Sequence, residues 1–187
     1  MKKIKYLIAI AFLTMLLSIN VFAYTNPVVG STLERGVGNV TYTVSSGSSA
    51  FTSIINDAAN NWVYTGWANP INMTAVSSSV GSTIDIYAYT NSTDGMYAYT
   101  TFWIRGSKQL TINEISYTQW FYNEVNINKG TSTSSTLPAT MRHEFGHCFG
   151  MDENNGNPYS IMAQAKYRAV STVQKCDNDT IVELYGN

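Results

Sequence analysis

Both histidines of this 187-residue chain stand four positions apart, in His143-Glu144-Phe145-Gly146-His147. No other feature restricts the fold as tightly. On a helix, positions i and i+4 project from one face, a turn apart. Two imidazoles so placed can grip one zinc ion, at Zn–N distances of about 2.0–2.1 Å. Glu144 lies between them in sequence and beside the ion in space. From there it is suited to take a proton as a general base rather than to serve as a third ligand. The helix is expected to begin near Leu137, with Ser135 or Thr136 as cap and Pro138 in the first turn. Gly150 can end it. A sharp turn there can bring a residue around position 153 back to the metal. The chain reads Asp152-Glu153 at that point, and a carboxylate oxygen binds zinc at about 2.0–2.2 Å. With both histidines already used, the third ligand is a carboxylate or something less usual.

The rest of the chain predicts an α+β domain. Val40–Val44 alternates with period two and reads as a strand. Phe51, Ile54, Ile55, Ala58 and Trp62 then form one apolar helix face over residues 50–64. Strands are expected over residues 71–76, 83–90, 96–104 and 120–127, with a short one over 110–115. Asp94-Gly95 lacks the run of carboxylates a calcium loop needs and is read as a turn. A last helix is expected over residues 178–185, with Asp177 as its cap. No internal repeat or linker divides the chain.

Here the pattern becomes specific. His143-Glu-Phe-Gly-His-Cys-Phe-Gly-Met-Asp-Glu153, followed by Ser160-Ile-Met162, resembles the zinc site of the metzincin metalloproteases, and within them the matrixin-like branch. The resemblance implies a metzincin-like catalytic domain: a mixed, twisted β-sheet with two long helices and a C-terminal helix. It implies zinc as cofactor, His143, His147 and Glu153 as ligands, Glu144 as the catalytic base and Met162 as an apolar floor beneath the metal. Glu153 matches the family's third-ligand spacing and Asp152 is the alternative, in a place where the family usually has histidine. Gln164 stands where some branches carry a tyrosine that assists catalysis. The strand around Tyr97–Trp103 would be a sheet edge along which an extended protein or peptide substrate pairs. The activity implied is peptide-bond hydrolysis. The rival is a catalytically weak or inactive secreted binding protein on the same scaffold.

The N-terminus carries Lys2, Lys3 and Lys5, an apolar run from Leu7 to Ile19, and Val21-Phe22-Ala23. This reads as a secretory signal peptide over residues 1–23, leaving residues 24–187 as a secreted, extracellular and monomeric domain. Few residues then precede the domain, and none is a cysteine, so no cysteine-switch prodomain is expected. The leader takes three lysines and no acid, so the remainder is more acidic than the whole chain's net charge of −1. That balance argues against a phosphate-tracking nucleic-acid binder and against membrane attachment after cleavage. Cys148 and Cys176 are the two cysteines, and an even count in a secreted chain predicts a disulfide. It would close a loop of about 28 residues and stabilise by roughly 3 kcal/mol.

Overall fold

A computed structural model describes residues 26–106 and 108–186, and the expected signal peptide lies outside the described residues. The elements run β1 (Val40–Val44), α1 (Thr52–Val63, entered through a 3-10 turn at Ser46–Phe51), β2 (Met73–Ala75), β3 (Ile84–Tyr89), β4 (Ala98–Ile104), β5 (Lys108–Thr111), β6 (Tyr122–Asn128), α2 (Leu137–Cys148) and α3 (Lys175–Tyr185). One six-stranded sheet has the order β2-β1-β3-β6-β4-β5. The first four of these strands run parallel, and β4 runs antiparallel to both β6 and β5. The expected α+β class with a mixed sheet and three helices is therefore present.

Period-two alternation decides which face is covered. Ile84, Ile86, Phe102, Val125 and Ile127 are fully buried against the helices. From α1, Ile55, Ala58, Ala59 and Trp62 fill the same core. Trp62 packs edge-on against Phe149 with ring centroids 5.5 Å apart, and its indole N–H donates to the Arg142 carbonyl at 2.8 Å. These two contacts clamp α1 onto α2. The opposite sheet face holds Asp85, whose carboxylate accepts hydroxyl hydrogen bonds from Thr43, Ser82, Tyr87 and Tyr122. Hydroxyls rather than cations satisfy this buried acid, in keeping with a chain only 12% charged.

Several boundaries differ from expectation, each for a local reason. Thr136 is the N-cap of α2, as expected, but its side chain makes no cap bond into the helix and pairs instead with Thr133. The Thr133 hydroxyl accepts the Thr136 N–H, while the Thr136 hydroxyl accepts the Thr133 N–H, a reciprocal turn that fixes the entry to the helix. The last helix begins at Lys175, three residues before the expected start. Asp177 is not its cap but the third residue inside, accepting the Gln174 N–H at 2.7 Å. The expected strand over 110–115 ends instead at Thr111, because Glu114 accepts both the Thr111 N–H at 2.8 Å and its hydroxyl at 2.9 Å. β5 folds back antiparallel onto β4 as a hairpin through the short connection between Ile104 and Lys108. β4 is therefore not an edge throughout. Thr101–Ile104 pair with β5, and only Ala98–Thr100 stay open.

The disulfide does not form. Cys148 and Cys176 are free thiols. Cys148 is sealed in the core at the end of α2, where burial pushes its thiol pKa well up. Cys176 lies at the start of α3 beside Asn157 and the Tyr159 carbonyl. Among the described residues no helix is long and apolar enough to cross a membrane.

Candidate metal centre

The end of α2 sets up the site. Gly150 takes φ +94°, a left-handed conformation that glycine adopts without strain. The Met151 N–H donates to the Gly146 carbonyl at 3.1 Å and the Gly150 N–H to the His147 carbonyl at 2.9 Å. This is a Schellman ending. A Cβ at Gly150 would also stand 3.0 Å from the Ser31 carbonyl oxygen and 3.1 Å from the Trp120 ring. The emerging chain is held by the N-terminal segment: the Val29 N–H donates to the Gly150 carbonyl at 3.0 Å and the Asp152 N–H to the Pro27 carbonyl at 2.8 Å.

This turn brings Glu153 to the two histidines. The ligand atoms of His143, His147 and Glu153 lie within 4.8 Å of one another, and the group can hold a metal ion. Nε2 of His143 and Nε2 of His147 are 3.0 Å apart. Glu153 Oε1 is 3.5 Å from the first and 3.6 Å from the second. Asp152 does not join them. Its Oδ1 turns back to accept the Glu153 N–H at 2.7 Å.

The outer contacts decide which ring nitrogens face the cluster. His143 Nδ1 lies 3.0 Å from the Ile161 carbonyl oxygen, and His147 Nδ1 lies 2.9 Å from that of Met151. A carbonyl only accepts, so each Nδ1 carries the proton and donates. Each Nε2 is then left with its lone pair directed at the same small volume, the arrangement that second-shell carbonyls impose on metal-binding histidines. Two such lone pairs cannot satisfy each other. Glu153 Oε2 is also buried with no hydrogen-bond partner. A cation is what this donor set lacks, and these residues fit a zinc-type ion. Burial pushes the Glu153 carboxyl pKa up, but when the rings of His143 and His147 take up protons at Nε2 their hydrogen bonds and charges outweigh it and hold the group well below the usual carboxylate range. For His147, burial favours the neutral ring, and Glu153 and Glu144 tip the balance upward.

Glu144 lines the same cleft, which has a volume of about 980 Å³. Its Oε2 accepts the Thr100 hydroxyl at 2.7 Å. Thr100 lies in the open stretch of β4 and is buried. Sequence reasoning overlooked it, though a signal existed: Thr100 is a polar residue on the face of β4 that Phe102 makes apolar.

Met162, one residue past the carbonyl that meets His143, is fully buried, and its turn is fixed from two sides. The Met162 N–H donates to the Ser160 hydroxyl at 2.9 Å, and the Asn154 N–H donates to the Met162 carbonyl at 2.9 Å. Ser160 in turn donates to the buried Asp177 at 2.6 Å. Asp177 also accepts from the Ile161 N–H at 3.0 Å and from the Asn26 amide at 2.7 Å. Sequence reasoning saw only a helix cap in Asp177. A Cβ built on Gly146 would overlap Met162 Sδ and stand 3.2 Å from Trp62. Gly146→Ala is therefore expected to destabilise by about 1–3 kcal/mol through overpacking. In an open helix the same change would stabilise by roughly 1 kcal/mol. Thermal or denaturant unfolding of the variant reads the sign.

Gln164, two residues past Met162, reaches the site from the loop, with Nε2 3.4 Å from Glu153 Oε1. Tyr159 and Tyr167 are exposed and do not line the cleft. Compared with protein-family models and with curated proteins, the chain matches no family model and no curated sequence.

Proposed function

We propose that this chain is a secreted zinc endopeptidase on a metzincin-like, matrixin-like scaffold, hydrolysing peptide bonds with Glu144 as general base. The observation that carries this reading is the convergence of two imidazole lone pairs and an ionised carboxylate on one point of the cleft, with a second carboxylate beside them. A structural metal site has no need of that second acid. His143, His147 and Glu153 would hold zinc, which when bound would supply a Lewis acid for the scissile carbonyl and lower the pKa of water.

The remaining steps belong to side chains and backbone. The Ile161 and Met151 carbonyls hold the two rings in the tautomer that leaves Nε2 free. The open backbone of Ala98–Thr100 offers a short edge to an extended peptide, laid along the cleft by β-augmentation. Glu144 takes the proton from the attacking water on its carboxylate and passes it to the departing amine. Thr100 holds that carboxylate in one orientation. Glu153, unlike a neutral histidine, brings a negative charge to the metal and reduces the site's net positive charge.

Zinc analysis of the purified protein together with a peptide-library digest tests the reading. One zinc per chain and chelator-sensitive, zinc-restored cleavage are expected. A metal-free protein, or a zinc protein that cleaves nothing in the library, overturns it in favour of a binding protein. Thr100 gives a finer check. Thr100→Val keeps the shape and removes the hydroxyl, so kcat is expected to fall roughly tenfold or more, as for one hydrogen bond to a charged group, with KM little changed. Thr100→Ser is expected to restore most of it. Equal kcat for the Val and Ser variants would remove Thr100 from the mechanism.

A further inference from the structure

The cleft continues past the metal cluster along the loop that follows Met162, where Lys166, Arg168 and Val170 line it. Its acidic lining residues among those described are Glu144 and Glu153, and its lysine and arginine are Lys166 and Arg168. On the endopeptidase reading, on which this inference rests, a divalent ion at the cluster balances the two carboxylates. Of the acids near Arg168, Asp177 then remains, but it is buried outside the cleft and already accepts from Ser160, Ile161, Gln174 and Asn26; within the cleft Lys166 and Arg168 are left without a counter-charge. Among the described residues neither takes part in an ion pair.

The two cations are not equivalent. Lys166 is exposed, its Nζ lying 4.7 Å from the centre of its neighbour's ring, Tyr167. Arg168 is half-buried and anchored. Its Nη1 donates to the Ile161 carbonyl at 3.1 Å and to the Ala163 carbonyl at 3.3 Å. Ile161 is the residue whose carbonyl also orients His143. Among the described residues Nε and Nη2 of Arg168 have no acceptor. The guanidinium is thus held by one nitrogen close to the reacting centre, with its other donors unused. A planar fork already fixed in place loses little freedom on meeting a carboxylate, and that pairing is among the stronger hydrogen-bonded ones.

We propose that Arg168 selects peptide substrates carrying an aspartate or glutamate beside the bond to be cut, its unused guanidinium donors taking the side-chain carboxylate. Lys166 adds attraction at longer range without fixing a position. The selection runs against the chain's overall acidity, which by itself disfavours acidic peptides, so it is a local property of this wall of the cleft.

The test uses two peptides that differ only in Glu or Gln at the position beside the cleaved bond. For the zinc-loaded protein, kcat/KM is expected to favour the Glu peptide by about tenfold or more. In Arg168→Gln the ratio is expected to fall to about one, and in Arg168→Lys to keep part of its value. Both peptides are read on the same preparation, so partial misfolding of a variant leaves the ratio intact. Binding supplies a second readout. Titration calorimetry on zinc-loaded Glu144→Gln is expected to give tighter binding of the Glu peptide, a difference lost when Arg168→Gln is added. A ratio near one in the parent, or one that survives Arg168→Gln, overturns the proposal. Absence of cleavage of both peptides counts against the endopeptidase reading instead, and the binding ratio then decides the role of Arg168 by itself.

Discussion

Zinc-loaded Glu144→Gln is expected to keep its metal and to hydrolyse peptides at least a hundredfold more slowly than the parent, within the roughly 10²–10⁴ that a general base contributes. The substitution isolates proton transfer from everything else at the site. Glutamine has the shape of glutamate, and its amide oxygen can still accept the Thr100 hydroxyl that Glu144 Oε2 accepts at 2.7 Å. The His143–His147–Glu153 cluster does not include Glu144, so metal content should be unchanged. What disappears is a basic oxygen in the cleft. Undiminished cleavage by this variant would sink the mechanism. Loss of zinc would instead make Glu144 a ligand.

Glu153→Ala is expected to lower zinc affinity by more than 100-fold, beyond the 10–100-fold typical of losing an outer partner. Asp152→Ala should change it only a few-fold. The contrast follows from geometry. Glu153 Oε1 stands 3.5 and 3.6 Å from the two Nε2 atoms, whereas Asp152 Oδ1 is engaged by the Glu153 N–H. Competition with a chromophoric chelator measures both variants, and unchanged affinity in Glu153→Ala removes Glu153 from the site. The pH course of binding adds a sign. Zinc needs deprotonated ligands. The Glu153 carboxyl pKa is held well below the usual range, while that of His147 is raised. Affinity should therefore fall as pH drops through the imidazole range, with the carboxylate still ionised.

The ligand pair was legible because a helix converts a spacing of four into a shared face. Glu153 was favoured over Asp152 only through the spacing of the resembled family, not through the residues themselves. The choice depends on which carboxylate the turn after Gly150 directs inward, and that turn is set by the distant backbone of Pro27 and Val29. Strand positions were readable from alternation, but alternation reports faces and not neighbours. Nothing in residues 98–111 announced that β5 would cover Thr101–Ile104 and leave Ala98–Thr100 open. The disulfide failed as an expectation for a related reason. Cysteine parity says nothing of where two thiols sit, and Cys148 is enclosed by the core while Cys176 faces the loop around Tyr159. Arg168 went unremarked because its meaning lies in two carbonyls that only the folded loop brings within reach.

The buried cluster around Asp177 has a consequence for how the molecule is made. The Asn26 amide and the Asp177 carboxylate are 151 residues apart in sequence, and Asn26 and Thr180 are 154 apart. Contacts of that span form late, because the entropy of closing the loop must be met before they reward it. The sheet and α2 precede α3 in the chain and do not include Asp177. The turn at Ser160–Ala163 acquires its Asp177 bonds only once α3 has docked. On the proposed function, a chain whose α3 had not yet docked would carry both histidines on one helix face, with His143 not yet oriented by the Ile161 carbonyl. Docking of α3 would then be the step that completes the metal site.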